Sequence, residues 1–204
     1  MKILSNTLVT FLLILSSGIP GFAQSGPVKK VGNVSAVNIE GQKVNLTTDQ
    51  HVHVEVTVYS PSVVRVRMDK QPLGADFSYA VVGQPQQTKA SITQSADEVA
   101  IITDSLQARI RKNPFSVAFY TRDGKAVNQD EEGLTTSWIG EEVTTYKKMQ
   151  EGERFIGLGE KTGGLDRRGS GYTNWNTDAY GYTTGQDPLY ATIPFYIGIH
   201  NGLN

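Results

Sequence analysis

The sequence predicts an all-β protein built as an antiparallel β-sandwich, and three observations predict it. Apolar and polar residues alternate with period two: "HVHVEVTVYS" sets Val52, Val54, Val56 and Val58 on one side, with His51, His53, Glu55 and Thr57 on the other. Turn signals recur at the roughly 8 to 12 residue spacing of short sandwich strands. No stretch carries the three-to-four-residue apolar repeat of a long helix.

The chain has 204 residues and opens on "MKILSNTLVTFLLILSSGIPGFA". One cation, Lys2, precedes an apolar run around Leu8 to Leu15, and Gly21-Phe22-Ala23 offers a small-x-small cleavage site, so residues 1–23 read as a secretory signal peptide. The run is shorter than the roughly 20 residues a membrane span needs. The expected product is secreted or periplasmic, with no membrane association after cleavage. Residues 24–30 read as a tail, and 31–204 as one domain of about 170 residues, long enough for its own core.

Within that domain, "VSAVNIEGQKVNLTT" is two strands turning at Glu40-Gly41, and the valine-rich run and "SVVRVRM" are neighbours joined through Ser60-Pro61-Ser62. "SADEVAIITDSLQARIRKNPFSV" gives two more, split at Thr103-Asp104-Ser105 and closed by Asn113-Pro114. "FSVAFYTRDGKAV" is a hairpin through Asp123-Gly124. "NQDEEGLTTSWIGEE" reads as a polar excursion before a strand at 143–149, and "IPFYIGIH" as the last strand. The count is nine or ten strands. Asn201-Gly202 then calls for a type I′ turn and a return strand, so the domain is expected to be incomplete at its C-terminus, the front part of a longer polypeptide.

Nineteen basic residues against twenty acidic ones leave a net charge of −1, no field for nucleic acid or an anionic membrane. The chain has no cysteine, which excludes a disulfide framework and a lipidated-cysteine anchor. "GLGEKTGG" starts as a phosphate-binding G-x-G, but position 162 is Thr and no helix pattern follows. His51, His53 and Glu55 share a face in the strand reading, yet no fourth metal ligand accompanies them, and a polar outer sheet face is the better reading. No cofactor and no metal are called for.

The segment from Glu153 to His200 holds nine of the 21 glycines and most of the tyrosines, and it reads as a long irregular stretch ending in a strand. Its aromatic content argues against disorder. At its centre, "YTNWNTDAYGY" combines Tyr172, Trp175, Tyr180 and Tyr182 with Asn174, Asn176 and one acid, Asp178. Rings that pack on sugar C–H faces and a carboxylate that accepts hydroxyl protons suit a hydroxylated ligand. The same residues also suit a structural role, the rings covering the end of the sandwich and Asp178 capping a turn.

Three blocks, "ERFIGLGEKTGGLDRRG", "YTNWNTDAYGY" and "DPLYATIPFYIGI", resemble in order and spacing the N-terminal region of glycoside hydrolase family 31, most closely its α-glucosidase members. The resemblance is strong over about the last 50 residues. It implies a galactose-mutarotase-like β-sandwich preceding a (β/α)₈ barrel, with a sandwich loop reaching over the barrel's active-site mouth. It implies that Asp178 contacts an α-linked gluco-oligosaccharide substrate, with Trp175, Asn176 and Tyr180 as weaker carry-overs.

The family's retaining chemistry uses two barrel aspartates, and such a pair stands about 5 to 5.5 Å apart. No barrel follows within the 204 residues. The resemblance therefore implies a chain with no catalytic residue of its own, inactive alone. Two other readings stay open: a stand-alone carbohydrate-binding module using the same loop, and a structural sandwich whose aromatic loop packs on another protein.

Overall fold

The computed structural model describes residues 26–200 and 202. The expected signal peptide, Asn201 and the expected return strand lie outside the described residues; Gly202 has a left-handed φ of 71°.

Among the described residues there are 14 strands and no helix. The first five are β1 (Lys29–Lys30), β2 (Val34–Glu40), β3 (Lys43–Thr48), β4 (His53–Ser60) and β5 (Val63–Asp69). Next come β6 (Ser91–Gln94), β7 (Glu98–Ile102), β8 (Leu106–Lys112), β9 (Phe115–Thr121) and β10 (Ala126–Gln129). The last four are β11 (Thr136–Ile139), β12 (Glu142–Thr145), β13 (Arg154–Gly159) and β14 (Thr192–Ile199). Strands β2 to β5 form one antiparallel meander and β6 to β10 a second, while β1-β11-β12 and β13-β14 are smaller sheets.

The two meanders form the sandwich because each buries one side of its period-two pattern. On β3, β4 and β5, Val44, Val56 and Val66 stand in register, as do Leu46, Val54 and Met68. Facing them from the other sheet are Val99, Ile101, Ala108, Ile110, Phe115 and Val117, and all join one core. Fully burying a Val or Ile side chain stabilises by about 1.5–3 kcal/mol, so this double row carries most of the fold. The turns at Gly41 and Gly124 take φ of 60° and 89°, values that glycine reaches without a Cβ clash.

The outer face of β4 explains the histidine pattern. Glu55 is an ion-pair centre, 3.0 Å from Lys43 Nζ and 3.9 Å from Arg67 Nη1. His51 is not on that face: it lies before β4 in a tight turn, with φ 56° and its N–H donated to Thr48 O at 2.9 Å. Among the described residues no cluster of three His, Asp or Glu is placed to hold a metal ion.

Several elements differ from the sequence reading. Lys29–Lys30, read as tail, adds β1 to the edge of β11, pairing with Trp138 and Ser137. The polar excursion contains β11, whose Trp138 is buried against the main core; β12 stops at Thr145. Strand β6 falls between turn signals and was not expected. The largest correction is β13, which lies inside the stretch read as irregular. It pairs with β14 because its glycines let two backbones meet: a Cβ on Gly157 would stand 2.6 Å from Phe195 O, and one on Gly159 2.6 Å from Ala191 O. "GLG" is thus a close-approach bulge, with left-handed φ at Gly157, Leu158 and Gly159.

Candidate functional site

Residues 160–191 leave β13 and return to β14 without regular secondary structure. Such a segment must satisfy its backbone by other means, and side chains supply them here. Lys161 Nζ lies 2.6 Å from Asp187 Oδ1 and donates to Thr173 O at 2.7 Å; the other Asp187 oxygen accepts the Thr173 N–H. Thr162 Oγ1 accepts Gly185 N–H at 2.8 Å and donates to Gln186 O at 3.2 Å. The Arg167 guanidinium donates to Thr162 O and Gly164 O at 3.1 and 2.7 Å, and stands 5.4 Å from the Tyr172 ring centroid.

Burial pushes the Asp187 carboxyl up, but the Lys161 hydrogen bond, the Thr173 N–H and the lysine charge outweigh it and hold the group below the usual carboxylate value. Asp166 is also lowered, by the backbone N–H groups of Arg168 and Phe155.

The sequence-predicted residues sit on this frame. Asn176 Oδ1 accepts both Thr192 N–H, at 2.8 Å, and Thr192 Oγ1–H, at 2.9 Å, tying the loop to β14. Its carbonyl is therefore a structural clasp. Thr177 N–H donates to Leu189 O at 2.9 Å, and Ala179 and Leu189 are buried under the loop. Asp178 lies between these two fixed neighbours with its side chain exposed. Trp175 is 70% and Tyr180 94% exposed, and among the described residues neither ring stacks on another.

Two residues not singled out in the sequence belong with Asp178. The Tyr190 hydroxyl is raised by burial first, then by the charges of Asp178 and Glu160, so two carboxylates act on one phenol. The Tyr190 ring also meets Tyr182 edge to face, centroids 6.3 Å apart. The adjacent "EK" in "GLGEKTGG" was the available signal for Glu160 and Lys161; nothing local linked Lys161 to Asp187, 26 positions away. The depression nearest the loop, about 340 Å³, is lined by Tyr172, Asn174 and Tyr196 among others and by none of the four predicted residues. Trp175, Asp178 and Tyr180 are exposed residues of this one loop, two rings and a carboxylate open to solvent.

Comparison with known proteins is consistent with this architecture. The profile described as "Glycosyl hydrolase 31 N-terminal galactose mutarotase-like domain" matches residues 53–204. An α-glucosidase 2 of Bacillus thermoamyloliquefaciens is 34% identical over 154 residues, 73% of this chain and 19% of the relative. An α-glucosidase of Saccharolobus solfataricus is 42% identical over 71 residues, 35% of this chain and 10% of the relative. Among solved structures, a family 31 dextranase of Flavobacterium johnsoniae complexed with isomaltotriose superposes with TM-score 0.78 at 28% identity, covering 82% of this chain and 21% of that one. The chain thus spans about a fifth or less of the length of these relatives. The chain belongs to glycoside hydrolase family 31, as its N-terminal galactose mutarotase-like domain.

Proposed function

We propose that the chain is the N-terminal domain of a secreted or periplasmic, retaining α-glucosidase-type enzyme, and that its 160–191 loop forms one wall of the substrate site. The observation that carries the proposal is Asp178: an exposed carboxylate between two fixed residues, flanked by exposed Trp175 and Tyr180. A carboxylate carried on a fixed backbone binds sugar hydroxyls at a lower ordering cost than one on a mobile segment. The names of the relatives support the substrate class, α-linked glucose units. Hydrolysis would take place on a (β/α)₈ barrel of the same polypeptide, whose active site opens at the C-terminal face where a loop can cover it. Exposed Ile193, Phe195 and Ile197 on alternate positions of β14 suit contact with such a neighbour.

The test is Asp178→Ala in the polypeptide that carries both domains. It lowers kcat/KM for maltose or isomaltose roughly tenfold or more, through one lost charged hydrogen-bond acceptor, with Tm unchanged because the side chain is exposed. Unaltered kinetics on both sugars would remove Asp178 from the site. Calorimetric titration of the 204-residue chain with the same sugars separates this reading from a stand-alone binding module, which would bind them measurably without the barrel.

A further inference from the structure

We propose that the outward face of the β6–β10 sheet carries a second ligand site, a groove that takes a short neutral saccharide. It stands on residues other than those of the 160–191 loop.

Register creates the groove. Outward positions of β8 and β9 pair Arg109 with Ala118 and Arg111 with Ser116, and Ala118 in turn pairs with Gln129 on β10. Small residues on the middle strand between long ones on its neighbours leave a trough of about 330 Å³, floored by Ser116 and Ala118 and walled by Arg109, Arg111, Tyr120 and Gln129. That is the low end of the roughly 300–1,000 Å³ found for small-molecule sites.

Its polar groups are incompletely used. Arg111 Nε–H is shielded from solvent without a hydrogen-bond acceptor, while Nη2 of the same group donates to Glu132 at 2.8 Å. A buried donor left unmade is costly, and the Arg111 side chain, 40% exposed as a whole, has room to turn that donor toward a hydroxyl oxygen in the groove. Arg109 stands 5.4 Å from the Tyr120 ring centroid and makes one long bond, 3.3 Å, to Gln107 Oε1. Tyr120 Oη accepts from Gln129 Nε2 at 2.9 Å, which leaves its proton for another acceptor.

Charge selects the ligand class. Arg109, Arg111 and Lys148 line the groove together with Glu98, Asp130, Glu131 and Glu132, and Asp130 is already paired with Lys147. An anion would face four carboxylates and a cation three basic groups. A neutral polyol uses both kinds, offering oxygens to the guanidinium groups and hydroxyl protons to the carboxylates.

The experiment is an amide-resolved NMR titration of the chain with maltotriose, with inorganic phosphate as the anionic control. Maltotriose at millimolar concentration is expected to shift the amides of Arg111, Ser116, Ala118 and Gln129, and phosphate is not. Arg109→Ala and Arg111→Met, each checked for an unchanged near-UV spectrum, are expected to weaken binding by roughly fivefold or more. Asp178→Ala should leave the groove shifts as they are, so failure of the loop reading and failure of this one are distinguishable. Shifts confined to residues 172–182, stronger binding of phosphate than of maltotriose, or undiminished binding in both folded arginine variants would each overturn the proposal.

Discussion

Lys161 Nζ lies 2.6 Å from Asp187 Oδ1, and the lysine side chain is wholly shielded from solvent although it sits in a segment without regular structure. Through Thr173, whose carbonyl binds the lysine and whose N–H binds the aspartate, the pair closes three parts of the loop at one point. Removing one partner of a buried pair leaves the other uncompensated. Lys161→Met is expected to cost about 3 kcal/mol, the low end for such a loss because Asp187 keeps 17% side-chain exposure. The cost should fall on the loop: amide exchange at 160–191 accelerates, while β4 and β8 amides keep their protection.

Acid should open the same segment. Asp187 is held below its ordinary value of about 3.9, so the unfolded chain binds its proton more readily than the folded one. Its contribution is present above that value and is lost as pH falls through the lower folded-state value. Exposed Asp49, Asp76, Asp123 and Asp166 are lowered too, so the informative quantity is a difference. Wild type is expected to lose more stability than Asp187→Asn between about pH 5 and pH 2. Parallel curves for the two proteins would contradict the assignment.

Asn176→Ala removes the acceptor of two hydrogen bonds from Thr192. A cost of about 1–2 kcal/mol is expected. Acrylamide quenching of Trp175 measures little of this, because that ring is already exposed, whereas the exchange rate of the Thr192 amide should rise. Asp178→Ala should leave that amide unchanged, which separates the clasp from the proposed sugar contact.

Glycine at 157 is required twice over. Its φ is 124°, and an added Cβ would lie 2.6 Å from Phe195 O and 2.9 Å from Tyr196 Cα, both backbone atoms of β14. Gly157→Ala is expected to cost about 3 kcal/mol or more, as β13 and β14 are pushed apart. Gly163→Ala, at φ 84° with nothing within 4 Å, should cost about 1 kcal/mol, from backbone strain alone. Denaturant midpoints of the two variants give the comparison.

The meanders were legible because their signal is local. Val54 to Val58 alternate within one strand, and Asp123-Gly124 names its own turn. Strand β13 was not, since "RFIGLG" has weak strand propensity and pairs only because β14, some 30 residues on, approaches its glycines. His51 misled in the opposite direction: it continues the alternation, but its left-handed φ takes it off the face the pattern assigns.

By itself the sequence determined the class of fold and the core rows of valine and isoleucine, and it singled out the stretch around Asp178 as a candidate, because period-two patterning and unusual composition are written in neighbouring residues. Only the tertiary structure decided what each polar residue there does. It turned Asn176 into a clasp on Thr192, joined Lys161 to Asp187, set Tyr190 in the field of both Asp178 and Glu160, and opened a groove over Ser116 and Ala118. The physical reason is that hydrogen bonds and ion pairs act over a few ångströms in space, and the chain separations they bridge here, 16 and 26 residues, leave no trace in local pattern.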